Sequence, residues 1–125
     1  MATNELFLPS IEEIIEINRK FNGGVRRGDL EFILSKIISL KLGNDHKKNV
    51  ARSAATLWYY IIQNHVFIDG NKRTATESAK HFCSINSIEL DMPPNGLIYV
   101  SLKIANNDIR FNELEELIYK RLRRR

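Results

Sequence analysis

Eleven consecutive residues, His65-Val66-Phe67-Ile68-Asp69-Gly70-Asn71-Lys72-Arg73-Thr74-Ala75, bring together an imidazole, a carboxylate, a Gly-Asn turn, an ammonium and a guanidinium. His65 is the one side chain of the run that readily exchanges a proton near neutral pH, and activating an attacking hydroxyl is its obvious use. Arg73 offers a two-pronged fork to phosphate oxygens, and Lys72 a point charge. Asp69 would repel phosphates unless a cation lay between them. Magnesium meets that need, because it takes one or two carboxylates together with phosphate oxygens. Gly70 permits the backbone angles of a tight turn and a close approach to a ligand. Asn71 can cap a helix or donate to an oxygen. The assortment suits transfer of part of a nucleotide to another molecule.

Each residue also has a duller reading. His65 is a reasonable helix C-cap, Asp69 a plain turn residue, and Lys72 and Arg73 ordinary surface cations. Phe67 and Ile68 read as structural, with Phe67 the apolar anchor that pins the loop to the core. The chemical reading is favoured because the dull readings must all hold at once.

Nearly every segment around this run has helical periodicity. Ser10 and Glu13 form a capping-box signature after Pro9, and Ile11, Ile14, Ile15, Asn18 and Phe21 follow helical spacing until Gly23-Gly24. A second helix is expected from about Asp29, using Leu30, Ile33, Leu34, Ile37 and Ile38, and it fades by Gly43-Asn44. The third has the widest apolar stripe (Val50, Ala54, Leu57, Trp58, Ile61, Ile62). It reads as a central helix running directly into His65. A fourth starts near Lys72, with Ala75, Ala79, Phe82 and Cys83 on one face. Its first-turn N–H groups, unpartnered within the helix, would point at the loop and form a natural anion site.

Farther on, Ile88-Glu89-Leu90 alternates and is compatible with a short extended piece. Asp91 is a candidate cap for a helix entered through Pro93 and Pro94, with Leu97, Ser101, Ile104 and Ala105 inward. Asn112 and Glu115 give a second capping-box signature, followed by Leu114, Leu117, Ile118 and Leu122. The expected fold is an all-α, compact six-helix bundle, with the short extended segment as its one departure.

The 125-residue length is that of a single domain spanning 1–125. The net charge of +4 is unevenly spread, since Lys120, Arg121, Arg123, Arg124 and Arg125 exceed it by themselves. This basic tail, 120–125, reads as a solvated helix end facing the negative end of the helix dipole, or else as a contact for nucleic acid or an acidic partner. The lone Cys83 excludes an intrachain disulfide and reads as a small apolar residue. Neither a signal peptide nor a membrane-length apolar stretch is evident, so a soluble protein in the reducing cytoplasm is expected.

Residues 65–73 match, at every fixed position, the pattern H-x-F-x-[DE]-[GA]-N-[GK]-R of the Fic/Doc family. The dense match in a helix–loop–helix context is highly specific. The short helical chain resembles the compact Doc (death-on-curing) toxin branch, as does Gly23-Gly24-Val25-Arg26, and the resemblance is expected to extend over nearly the whole chain. Fic adenylyltransferases usually carry Gly in place of Lys72 and a second Arg in place of Thr76. Doc-like proteins share the Lys, and in them the nucleotide is thought to bind in the reverse sense, with its γ-phosphate towards the acceptor.

The resemblance implies a kinase that moves the γ-phosphate of ATP to a hydroxyl of a target protein, with translation elongation factor Tu the leading candidate, so that translation is inhibited. His65 would be the general base and Asp69 the Mg2+ ligand. Gly70, Asn71, Lys72 and Arg73 would bind the phosphates. No Glu in the chain is followed by Gly or Asn, so the [ST]-x-x-x-E-[GN] inhibitory element of many Fic proteins is missing. A separate antitoxin is the implied restraint. The alternatives are AMP transfer to a protein hydroxyl, and a catalytically silent helical module that binds protein or nucleic acid through Arg121–Arg125.

Overall fold

The computed structural model describes residues 6–21 and 24–124. Among these described residues, six helices and two short strands follow one another in the order α1 (Ile11–Arg19), α2 (Arg27–Ile38), α3 (His46–Gln63), α4 (Asn71–Ile85), β1 (Ile88–Leu90), α5 (Pro94–Ala105), α6 (Phe111–Arg121) and β2 (Leu122–Arg124). The mostly helical architecture is the one the periodicity predicts.

Local chemistry explains most of the boundaries. Ser10 and Glu13 close the capping box that starts α1, with Ser10 Oγ accepting the Glu13 N–H at 3.1 Å and Glu13 Oε1 accepting the Ser10 N–H at 2.8 Å. Asp45 caps α3 through the Lys48 N–H. Pro94 occupies the first position of α5, where a missing N–H does no harm.

The central helix is α3, and it packs most extensively against α4. Ala54, Ala55, Ala75 and Ala79 are fully buried and allow a close approach. Trp58, also fully buried, donates its indole N–H to Ser101 Oγ of α5 at 2.9 Å. Burial pushes the Cys83 thiol up to about 12, so it remains an inert apolar group. Among the described residues, no helix is long and apolar enough to cross a membrane.

Several expectations are corrected. Helix α2 starts at Arg27, and Ile38 at its end is 69% exposed and outside the core. Asp91 does not cap α5, whose N-cap is Pro93; Ala105 is exposed, and Val100 is buried instead. The box at the start of α6 does not use Asn112 and Glu115. Glu113 Oε1 accepts the N–H of Arg110, the N-cap, at 2.8 Å. Only half of the box is present, because arginine has no acceptor with which to answer.

The tail is not wholly a helix end. Lys120 and Arg121 do lie in the last turn of α6, but Leu122–Arg124 turn into β2 and pair antiparallel with β1 in the register Ile88↔Arg124, Glu89↔Arg123, Leu90↔Leu122. The extended piece at Ile88–Leu90 is therefore real, and the chain end is its partner. Gly23 and Arg125, each part of an expectation above, lie outside the described residues.

Candidate active site

Helix α3 ends at Gln63, two residues before the motif begins. Asn64 is its C-cap, and His65 follows with φ 46°. The His65 N–H reaches Ile62 O at 3.3 Å and the Val66 N–H reaches Ile61 O at 3.4 Å. This pair of bonds is a Schellman ending, in which a left-handed residue, usually Gly, terminates the helix. His65 thus does occupy a helix-terminating position. The same turn leaves its imidazole exposed at the rim of a cleft.

Three interactions fix the loop. Phe67 is 2% exposed and anchors it to the core, as its type predicts. Backbone bonds Arg26 N–H to Val66 O (2.7 Å) and Ile68 N–H to Gly24 O (2.8 Å) flank an antiparallel bridge between Val25 and Phe67. The Asn71 carboxamide takes the Phe67 N–H at 2.9 Å and donates to Phe67 O at 2.7 Å. Ile68 is not structural in the sense expected of it. Its side chain is 84% exposed, and a Cβ added at Gly24 would lie 2.8 Å from its Cδ1.

Helix α4 begins at Asn71, one residue ahead of expectation, from the N-cap Gly70. Gly70 has φ 75°, and a Cβ there would stand 2.6 Å from Phe21 Cβ. Both counts favour glycine at this position. Having no side chain, Gly70 cannot cap the first-turn N–H groups, so the positive end of α4 faces the loop. Asp69 accepts the Gly70 N–H on Oδ1 at 2.8 Å.

The resulting cleft has a volume of about 350 Å³ and is lined by Ile62, Gln63, His65, Ile68, Asp69, Gly70, Asn71, Lys72, Ala105 and Asn107. Gln63 closes one wall by donating to Ile104 O (2.7 Å) and Asn107 Oδ1 (3.0 Å). The structure brings His65, Asp69, Gly70, Asn71 and Lys72 together here. Arg73 is not among the residues lining this cleft; it lines a separate groove of about 170 Å³ with Thr76, Glu77, Lys80, Pro94, Leu97 and Ile98. Neither Lys72 nor Arg73 forms an ion pair among the described residues. Thr76 is buried, and its hydroxyl donates to Arg73 O at 2.9 Å.

The donor set fits a hard cation only in company with a ligand. Among the described residues, Asp69 is the one carboxylate that lines the cleft. Among the described residues, no three His, Cys, Asp or Glu side chains gather to hold a metal. A single carboxylate beside an anion-binding helix end is the arrangement in which magnesium arrives with substrate phosphates.

Asn18, which sequence spacing places only in the apolar stripe of α1, also bonds to the motif. It falls in the inward stripe of α1 and is 1% exposed. Its Nδ2 donates to Asp69 O at 2.8 Å and to Thr74 Oγ1 at 2.8 Å. The signal was present in the sequence as an amide side chain in register with Ile11, Ile14 and Ile15.

No curated protein and no solved structure gives a significant match to the chain. A model of the Fic/DOC family matches residues 9–83, a span that holds Asn18, the Val25 bridge, the whole motif and most of α4. That match covers more than half of the sequence, and the chain belongs to the Fic/DOC family, which generally transfers nucleotide or phosphate groups to protein hydroxyls.

Proposed function

We propose that this protein is a Doc-like kinase that transfers the γ-phosphate of ATP to a hydroxyl of a target protein. The observation that carries the reading is the shared cleft. His65, Asp69 and Lys72 line one cavity at the uncapped N-terminus of α4. There, an imidazole, a carboxylate and a cation all lie within reach of one bound polyphosphate.

His65 would take the proton from the acceptor hydroxyl as the oxygen bonds to the γ-phosphorus. The bond from the γ-phosphorus to the β–γ bridging oxygen then breaks, and ADP leaves. The backbone N–H groups of Asn71 and its successors, with Lys72, would hold the phosphate oxygens. The Asn71 carboxamide holds the Phe67 backbone through Oδ1 and one Nδ2 hydrogen, so it would shape the loop and offer the phosphates its second Nδ2 hydrogen. Arg73 would join by swinging out of its groove across the first turn of α4. Asp69 would hold Mg2+, which when bound neutralises charge on the phosphates. Catalysis on these terms is positioning and charge compensation.

Two features favour γ-phosphate over AMP transfer. Lys72 stands in the cleft where adenylyltransferases of the family carry Gly. Position 76, where they carry a second Arg, is a buried Thr whose hydroxyl is turned back on the helix. Restraint by a separate antitoxin belongs to the same Doc-like reading. Elongation factor Tu is the first acceptor to try.

The test is incubation of the chain and acceptor with ATP labelled at either the α or the γ position. Label from γ, lost in His65→Ala, is expected. Label from α would replace the kinase with an AMP transferase. Growth inhibition that survives His65→Ala but is lost on deleting the basic tail would favour the silent binding module.

A further inference from the structure

We propose that Asn18 is a positioning residue for the cleft, one that holds the Asp69 carboxylate and the first turn of α4 in the relation that lets both face one phosphate group. The proposal rests on the reading of Asp69 as the metal-binding carboxylate and extends it to a residue on another helix.

The geometry centres on one peptide unit, the link from Asp69 to Gly70. Its carbonyl oxygen accepts from Asn18 Nδ2 at 2.8 Å, and its N–H donates to Asp69 Oδ1 at 2.8 Å. The peptide plane is therefore held at both ends, and the bond at its N–H end orients the carboxylate itself. The second hydrogen of Asn18 Nδ2 goes to Thr74 Oγ1, beyond Gly70 and inside α4. One carboxamide thus spans the left-handed Gly70 and ties loop to helix. Phe21, whose N–H bonds to Asn18 O at 2.8 Å, presses on the Gly70 Cα side. The end of α1 serves as a jig for the Asp69–Thr74 segment.

Energetics support a placed role. Burying a carboxamide in an apolar stripe is unfavourable unless its donors are satisfied, and an aliphatic residue would serve better for packing alone. Groups that orient a metal-binding residue from outside the ligand set typically alter metal affinity by ~10- to 100-fold.

The experiment uses the full chain and ATP binding by calorimetry across a Mg2+ series, with hydrogen exchange on the unliganded protein. In Asn18→Ala, exchange at the Gly70 amide is expected to speed by about tenfold, a loss of roughly one satisfied hydrogen bond. The Mg2+ concentration that half-maximally enhances ATP binding should rise by about tenfold. Binding without metal should change far less. Asp69→Ala should abolish the enhancement, and adding Asn18→Ala to it should do nothing more.

A lower melting temperature in Asn18→Ala with wild-type Mg2+ dependence and wild-type Gly70 exchange would overturn the proposal and leave Asn18 merely structural. Faster Gly70 exchange in Asn18→Ala, combined with an Asp69→Ala that keeps its Mg2+ dependence, would instead unseat Asp69 as the metal-binding group and spare the Asn18 link. Should Asn18→Ala fail to fold, Thr74→Val removes the helix-side acceptor with little change of shape. A smaller shift of Mg2+ dependence in the same direction is expected there, and none would count against the proposal.

Discussion

The Asn71 carboxamide and the Phe67 backbone form a closed ring of two hydrogen bonds, N–H to Oδ1 at 2.9 Å and Nδ2 to O at 2.7 Å. The first residue of α4 is thereby tied to the residue that anchors the loop in the core. Asn71→Ala would leave a half-buried N–H and C=O of Phe67 without partners and should lower stability by about 1–3 kcal/mol. Asn71→Asp keeps the acceptor but sets a carboxylate oxygen against Phe67 O, and should be no better than Ala. Urea denaturation of the three proteins checks the order. A wild-type midpoint for Asn71→Asp would show that the donor half of the ring contributes nothing.

Gly70 and Phe21 make a second dependence, and its two components separate. Gly70→Ala imposes a left-handed angle on a residue with a Cβ, about 1–2 kcal/mol. It also drives that Cβ to within 2.6 Å of Phe21 Cβ, an overpacking of about 1–3 kcal/mol. Phe21→Ala removes the ring contacts, Cγ at 2.6 Å and Cδ2 at 2.7 Å, but leaves the Cβ contact and the backbone strain. The double variant Gly70→Ala/Phe21→Ala should therefore be more stable than the two single losses added together, by the ring's share of the clash alone. A strictly additive double variant in urea unfolding would mean that Phe21 simply moves aside.

The helices were legible because their causes are local. The capping box at Ser10 and Glu13, the stripe from Val50 to Ile62 and the glycine at position 70 are all written within one or two turns of chain. What was missed depends on partners far away or on direction. β2 exists because Ile88–Leu90 offers an edge to Leu122–Arg124; alone, a Lys-Arg-Leu-Arg-Arg run reads as a frayed helix end. Asn18 acts through Asp69 and Thr74, more than fifty residues on. The sequence run also does not reveal that Arg73, one residue beyond Lys72 on the helix, lines the α4–α5 groove. The Asn112–Glu115 signature failed because a true half-box two residues earlier, at Arg110 and Glu113, had already started the helix.

The His65 backbone separates stability from chemistry. Its φ of 46° belongs to the Schellman ending of α3, a place where Gly carries no Cβ penalty. His65→Gly and His65→Ala both remove the imidazole and should both abolish transfer. They should differ in stability, with Gly the more stable by about 1 kcal/mol. Paired urea midpoints read this directly. An Ala variant equal to or above Gly would show that residue 65 does not keep the left-handed angle in solution.

Glu13 predicts a pH dependence located in α1. Its Oε1 accepts the Ser10 N–H at 2.8 Å and its Oε2 meets His81 Nε2 of α4 at 3.1 Å. The Ser10 N–H first, and His81 second among the hydrogen-bonding partners, hold the carboxyl below its ordinary value of 4.5. A folded-state value below the unfolded one means that the unfolded chain binds more protons in that range. The contribution to stability is thus fully present above the ordinary value and is lost as pH falls through the depressed one. Glu12, lowered chiefly by its hydrogen bond to Arg27, titrates in the same acid window, so the wild-type curve alone cannot assign the effect. The difference between wild type and Glu13→Gln can. Thermal melts should show the two proteins furthest apart near neutral pH and converging as pH drops below 4.5. His81→Ala should retain most of the convergence, because the larger cause, the Ser10 N–H, is untouched. A gap between wild type and Glu13→Gln that stays constant from neutral to acid pH would mean that the capping carboxylate is not held in its charged form by the fold.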